Sequence, residues 1–350
     1  MKGKTESGEA IKGGLGLRVG EWVQVREPGE IFATLDETHA LHGLPFMPEM
    51  LQYCGRRFRV EKSAHKTCDT INNYTIRRME NAVHLEGLRC GGEAHGGCQA
   101  ACLLFWKDAW LKRVTGSHSA QPAPSARSSQ PEDVDALQRS TRVNGSHADG
   151  LEHYRCQATD LLKATSEVRR RDRWDPRFYV KDLTTGNVKI WSFVFYGLFA
   201  AFNAFMLHWR GRRYPHLRGL SGQKTPQVIL NLKPGDLVRV RTKDEIMATL
   251  NVGMKNRGLW FDVEMLPFCD GVFKVLRRVD RIINEKTGAM MQLPGPCVIL
   301  DGVTCGGNLS HCRMFCPRAI YPYWREAWLQ NAGAPSHANN REVTESVTPC

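Results

Sequence analysis

Cys90-Gly-Gly-Glu-Ala-His-Gly-Gly-Cys98-Gln-Ala-Ala-Cys102 is written twice in this chain of 350 residues. The second copy is Cys305-Gly-Gly-Asn-Leu-Ser-His-Cys312-Arg-Met-Phe-Cys316. Upstream of each, with 35 residues intervening, stands one more cysteine: Cys54 before Cys90 and Cys269 before Cys305. The chain therefore carries two sets of four cysteines in nearly the same spacing.

The duplication extends well beyond the cysteines. Gly20-Glu-Trp-Val-Gln-Val-Arg26 aligns with Gly235-Asp-Leu-Val-Arg-Val-Arg241, and Ala33-Thr34-Leu35 with Ala248-Thr249-Leu250. Gly43, Phe46, Glu49 and Met50 recur as Gly258, Phe261, Glu264 and Met265, while Leu85 and Gly87 recur as Leu300 and Gly302. A constant offset of 215 residues carries all of these matches without a gap. Self-similarity over such a distance marks a duplicated structural unit.

Each copy alternates apolar and polar residues over short runs, at 22–26, 57–62 and 82–88 and again at 237–241, 273–277 and 297–303. Period-two alternation bounded by turn residues predicts half-buried strands, with a helical turn at 30–35. The expected fold class is α+β: two repeated small SH3-like β-barrel domains, closed to hide their edges. Cys98, Cys102, Trp106 and Trp110 fall at four-residue steps, which predicts a terminal helix over 98–114. Pro317 and Pro322 interrupt its counterpart, yet Trp106-Lys-Asp-Ala-Trp-Leu111 returns as Trp324-Arg-Glu-Ala-Trp-Leu329. The four tryptophans are expected to pin that helix to the barrel.

The predicted organisation is a disordered N-terminus (1–19), repeat 1 (20–114), a disordered linker (115–150), a helical connector (151–230), repeat 2 (231–330) and a disordered tail (331–350). Within the connector a helix is expected from residue 150 to about 173, ending in the basic run at 169–173. Residues 190–209 contain no Lys, Arg, Asp or Glu, and about 20 apolar residues suffice to cross a bilayer. One crossing would place equivalent repeats on opposite sides of a membrane. A helix buried between the repeats, or lying in a membrane surface, is therefore the preferred expectation, with a span as the alternative.

Residues 1–14 are polar and lack the apolar run of a secretory signal, which predicts a cytoplasmic protein, with membrane association open through 190–209. In a reducing compartment, patterned cysteines point to metal or catalysis rather than disulfides. Four thiolates suit tetrahedral zinc, with Zn–S near 2.3 Å and no open position. The expected ligands are Cys54, Cys90, Cys98 and Cys102, then Cys269, Cys305, Cys312 and Cys316. An iron–sulfur cluster uses the same ligand count and is the alternative cofactor; buried thiols and disulfides are the plainer readings. Gly91-Gly92 and Gly306-Gly307 suit tight folding around an ion. Cys68, Cys156, Cys297 and Cys350 have no repeated counterpart, and Cys297 aligns with Ala82, so none of the four is expected to bind. His95 and His311 could each replace a sulfur, but they stand at different places in their loops and read as exposed loop histidines.

No nucleophile elbow, Walker loop, His-Glu-x-x-His or paired-carboxylate motif is visible, so catalytic residues are unassigned. Glu49 and Glu264 read as structural hydrogen-bond acceptors. The formal charge of +12 favours acidic partners. The expected partner is another protein, with nucleic acid or an anionic surface compatible with the charge, and a membrane with 190–209.

The pattern Gly-Leu-x-Phe, Glu-Met and Cys, followed by Leu-x-Gly, Cys-Gly-Gly and Trp-x-x-Ala-Trp-Leu, resembles uncharacterised bacterial proteins of rhizobial type with a duplicated four-cysteine domain. That resemblance implies no activity. The functional expectation is a duplicated metal-binding protein with a binding or scaffolding role. Its alternatives are an iron–sulfur redox protein or enzyme, and a membrane-associated protein.

Overall fold

A computed structural model describes residues 14–72, 75–114, 131–143, 150–169, 176–222, 224–310 and 312–333. The architecture is α+β, built on small antiparallel sheets. The first copy contains β1 (Trp22–Val25), β2 (Arg57–Ser63), β3 (Lys66–Cys68), β4 (Ile76–Arg78), β5 (Ala82–Leu85), β6 (Trp106–Lys107) and β7 (Leu111–Arg113). The second contains β8 (Leu237–Val240), β9 (Val272–Arg278), β10 (Arg281–Ile283), β11 (Met290–Gln292), β12 (Cys297–Leu300), β13 (Trp324–Arg325) and β14 (Leu329–Asn331). The main sheet runs β6-β5-β2-β1-β7 in one copy and β13-β12-β9-β8-β14 in the other.

Register repeats as faithfully as order. Val23 opposes Phe58 in the first copy and Val238 opposes Phe273 in the second. A bulge displaces the β2–β5 ladder between Val60 and Lys62, and the β9–β12 ladder between Val275 and Arg277. Because a one-residue slip would turn every buried side chain outward, the repeated pattern of apolar residues imposes the repeated register. Short helices α1 (Pro28–Phe32) and α5 (Lys243–Thr249) follow the first strand of each copy.

The four repeated tryptophans are core residues, and no α-helix carries them. Trp106, Trp110, Trp324 and Trp328 are wholly buried. Phe46 meets Trp110 edge-to-face at 5.2 Å, and Phe261 meets Trp328 at 5.4 Å. Each second indole N–H finds a hydroxyl: Trp110 Nε1 donates to Thr34 Oγ1 at 3.1 Å and Trp328 Nε1 to Thr249 Oγ1 at 3.0 Å. The repeated threonine thus satisfies a buried donor. The helix expected over 98–114 is replaced by extended chain, β6, one 3-10 turn at Asp108–Trp110 and β7. Gly96, Gly97 and Ala101 all have positive φ, and left-handed residues end a helix. Four-residue spacing here came from two unrelated buried sets.

The connector departs from expectation too. Residues 115–130 and 144–149 lie outside the described residues, but between them α2 (Pro131–Ser140) forms within the stretch expected to be a disordered linker. Residues 150–165 are extended chain and turns instead of a helix. Gln157 explains part of this: its side chain accepts from Phe105 N at 2.8 Å and donates to Pro45 O and Phe105 O, so this segment is buried against repeat 1. Of the basic run 169–173, only Arg169 is described. Leu17, expected in a disordered terminus, is buried in the first core; residues 1–13 and 334–350 lie outside the described residues.

After α3 (Pro176–Thr184) comes α4 (Ile190–Arg210). α4 is not buried between the repeats: its most apolar window is 6% buried. The repeats instead meet directly, each laying its second hairpin over the cysteine loop of the other. From β3, Cys68 N donates to Cys316 Sγ at 3.2 Å and Lys66 Nζ to Met314 O at 3.0 Å. From β10, Ile283 N donates to Cys98 Sγ at 3.5 Å, and Gln99 N donates to Arg281 O at 3.1 Å. Cys68 and Ile283 occupy equivalent positions. So do Thr70 and Glu285, whose side chains hydrogen-bond to each other. Reciprocal contacts around a self-equivalent pair are the signature of a two-fold, isologous interface, here within one chain. Arg318 joins it, donating to Thr70 Oγ1 at 2.6 Å and Glu285 Oε1 at 3.1 Å.

Beneath this interface His84 is wholly buried, with Nδ1 2.9 Å from Leu104 O, the distance of an imidazole N–H donating to that carbonyl. Burial pushes its pKa from 6.5 down to about 4. The unfolded chain then binds a proton that the folded one refuses, so stability is complete above pH 6.5 and declines as the pH falls toward 4. The full shift corresponds to about 3 kcal/mol. His84→Gln should flatten the urea-unfolding free energy against pH across that window relative to wild type; parallel profiles would refute the assignment.

Candidate metal centre

Cys90 follows β5 and is fixed by its backbone, Cys90 N donating to Cys102 O at 2.8 Å. Between them the chain pivots on Gly92, whose carbonyl accepts from His95 N at 3.1 Å and Gly97 N at 2.8 Å. Gly92 has φ +82°, and a Cβ there would stand 1.9 Å from Cys98 O. Only glycine fits. Gly307 pivots the second loop with φ +63°.

Cys90, Cys98, Cys102, Cys156 and His95 line one small cavity of about 30 Å³. That is room for an ion or one to two waters. Of these sulfurs, only Cys90 Sγ joins a compact donor group. Cys90 Sγ lies 3.2 Å from Glu49 Oε1 and 3.4 Å from His95 Nε2, with His95 Nδ1 3.7 Å from the same carboxylate oxygen. The three donor atoms of Glu49, Cys90 and His95 lie within 4.8 Å of one another. This group could hold a metal ion. His95 is 1% exposed, which overturns the reading of an exposed loop histidine. His95 Nδ1 and Glu49 Oε2 are buried without hydrogen-bond partners, and buried polar atoms left unpaired call for a missing partner such as an ion.

The thiols are held protonated. Burial pushes Cys102 and Cys156 each up to about 12, and burial together with the Glu49 carboxylate raises Cys90 further from neutrality. Burial also lowers the pKa of His95. Such thiols are poor nucleophiles, because the thiolate is the reactive species. A bound divalent cation inverts this logic and deprotonates a coordinating thiol outright.

The remaining predicted ligands are distributed unevenly. Cys54 and Cys269 each end a 3-10 turn (Pro48–Tyr53 and Val263–Phe268). Cys54 does not line the cavity. The charged side chain acting on it is Glu27, while Asp270 and Lys243 act on Cys269. In the second copy Cys305 and Cys316 come together, and Cys316 shares a hydrogen bond with the Cys68 thiol. That bond favours the thiolate on Cys316 and raises Cys68. Cys312 is half-buried beside Arg313 and Asp262; His311 lies outside the described residues.

Glu264 behaves as expected of a structural acceptor, taking Asn308 N at 3.0 Å, Leu309 N at 2.7 Å and Ser310 N at 2.8 Å. Its counterpart Glu49 faces a thiol and an imidazole instead. The two copies thus share a scaffold but not an identical site. Sequence reasoning passed over Cys68 and Cys156 because repetition was the signal it used, and neither is repeated. Comparison of the chain with protein-family models, curated proteins and solved structures returned no match.

Proposed function

We propose that this chain is a metal-structured binding module in which thiolate-held zinc fixes the loop that follows each sheet. The buried Glu49, Cys90 and His95 group carries this reading: its donor atoms lie within 4.8 Å of one another, and Cys98 and Cys102 line the same cavity as Cys90 and His95. An ion held there would tie the Cys90 loop to Glu49, so we read its role as structural. We read each five-stranded sheet as the frame of an SH3-like unit, although the sheet ends at β6 and β7 in one copy and at β13 and β14 in the other, without pairing between the end strands. Units of that kind present loops and edges to a protein partner. Elemental analysis of the reduced, full-length chain tests the proposal: bound zinc in wild type, and less in Cys90→Ser, is expected. Iron with visible absorption would move the assignment to a cluster protein, and a metal-free wild type would sink both.

A second, compatible reading rests on α4, the one helix among the described residues long and apolar enough to cross a membrane. Trp191, Phe195, Leu198, Phe202, Phe205 and Trp209 follow one another at steps of four and three and are all exposed, Trp191 by 82% and Trp209 by 65%. The opposite face packs on protein: Phe193 stacks on Phe315 at 5.6 Å, and Asn203 pairs with both Tyr214 N at 2.7 Å and Tyr214 O at 2.8 Å. A span would force that polar return segment into lipid, where unpaired backbone is costly. In-plane docking on an anionic membrane avoids this, with Lys189, Arg210, Arg212 and Arg213 flanking the stripe. Wild type should float with vesicles containing phosphatidylserine, and the triple variant Trp191→Ser, Phe195→Ser, Leu198→Ser should not. Equal flotation would overturn the reading; a lipid-free dimer dissolved by the same variant would assign the stripe to a second copy.

A further inference from the structure

Both repeats form the same groove, and in only one of them does the chain fill it. In repeat 1 the connector lies there. Cys156, Ala158, Leu161 and Ala164 are buried in one core with Leu44, Phe46, Met47 and Met50. The Gln157 side chain accepts from Phe105 N at 2.8 Å and donates to Phe105 O at 3.0 Å, so one amide satisfies both main-chain groups of a single residue. A Cβ on Gly43 would stand 2.7 Å from Lys163 O, because the connector backbone rests directly on that glycine.

The 215-residue offset carries Gly43, Leu44, Pro45 and Met50 to Gly258, Leu259, Trp260 and Met265. Phe105 corresponds to Tyr323, each standing immediately before a repeated tryptophan. Leu259, Trp260, Met265 and Tyr323, with Ile320 and Tyr321, line an open groove of about 570 Å³ beside the inter-repeat interface. A Cβ on Gly258 would meet nothing within 4 Å. Leu44 and Pro45 are buried under the connector, whereas Leu259 is half-buried and Trp260 is 41% exposed. Among the described residues, nothing takes the connector's place on repeat 2. An apolar groove left open beside an exposed aromatic side chain is the form of an interaction site.

Charge narrows the occupant. The carboxylates lining the groove are already engaged: Asp262 pairs with Arg313, Glu285 with Arg318, and Glu264 accepts from Asn308 N, Leu309 N and Ser310 N. Lys255 and Lys286 also line it, are exposed, and make no ion pair among the described residues. The uncompensated charge is positive and complements an acidic side chain.

We infer that the repeat 2 groove docks a segment of a partner protein as the repeat 1 groove holds its own connector. The segment is a turn-forming peptide with a glutamine or asparagine among small apolar residues and an acidic residue nearby. Its amide takes the Tyr323 main chain as Gln157 takes that of Phe105, its apolar side chains cover Leu259, Trp260 and Met265, and its carboxylate meets Lys255 and Lys286. The inference deepens the binding role proposed above; it rests on that reading's protein partner and not on its ion.

Selection of a phage-displayed library of random peptides on the reduced, full-length protein tests it. Enriched peptides should share a side-chain amide beside small apolar residues, with Asp or Glu close by. Affinity of a synthesised winner should fall at least about tenfold in Trp260→Glu and in the double variant Lys255→Glu, Lys286→Glu. Winners lacking the amide, or bound equally by wild type and these variants, overturn the inference and leave a binding role elsewhere on the chain. A library from which nothing is enriched overturns the inference and the binding role together, while zinc content decides the metal reading separately. Since a variant can lose its fold, amide hydrogen exchange on the wild-type complex supplies a second measurement. Slowed exchange at 258–265 and 320–323 supports the inference, and slowing confined to other segments overturns it.

Discussion

Stripping zinc from the reduced, full-length chain with excess chelator should abolish cooperative unfolding of both repeats, and restoring zinc should bring it back. The binding free energy of a structural zinc site is on the order of 10 kcal/mol, and an entire domain is stable by only about 5–15 kcal/mol. The chain gives reasons to expect the larger end of such a loss. Cys98, Leu104 and Phe105 belong to the first core together with the sheet residues Val60 and Leu85, so a loop that opens takes core contacts with it. The thiols are also buried in protonated form: Arg318 draws Cys102 toward the thiolate and backbone hydrogen bonds do the same for Cys156, but burial outweighs both. Near-ultraviolet circular dichroism follows the change directly through the buried tryptophans. A urea-unfolding curve that is identical with and without chelator would rule out a structural ion.

Replacing Asp182 should be the most damaging single substitution outside the cysteine loops. Lys66 and Asp182 are both wholly buried, with Nζ 2.5 Å from Oδ2. Lys66 also faces the Phe178, Tyr179 and Phe315 rings at 5.1, 5.0 and 5.6 Å. Asp182→Asn keeps the shape and removes the charge, leaving an ammonium in low dielectric with only neutral acceptors, the new amide oxygen and the Met314 carbonyl, and ring faces around it. Breaking one side of such a pair costs about 3–5 kcal/mol, whereas replacing both partners with apolar residues is close to neutral. Urea unfolding should therefore show a large loss in Asp182→Asn and recovery in the double variant Asp182→Leu, Lys66→Met. A loss below about 1 kcal/mol, the scale of an exposed pair, would show that the charges are not buried in solution. Lys66 sits two residues before Cys68 and contacts the second cysteine loop through Met314 O, so the same variant should also loosen that loop.

The strands and their repetition were legible in the chain because alternation is a local property. Val23, Val25, Val238 and Val240 point inward by residue-to-residue parity alone. The spacing of Cys98, Cys102, Trp106 and Trp110 misled for the same reason: a four-residue step says helix only if backbone angles permit one, and Ala101 at φ 51° does not. The apolar run of 190–209 was read correctly as a helix, while its placement between the repeats was not. The repeats need no spacer, since their hairpins already cover one another.

By itself the sequence determined that one unit was copied, which residues alternate into its strands, and that cysteine loops follow each sheet. Which sulfurs face one another was decided only by the tertiary structure. Cys68 and Cys316 are 248 positions apart along the chain and are joined by a hairpin crossing from one copy to the other. Periodicity is carried by neighbouring residues and survives in a string of letters. A shared cavity is a meeting of distant segments, and it exists only once folding has brought their backbones together.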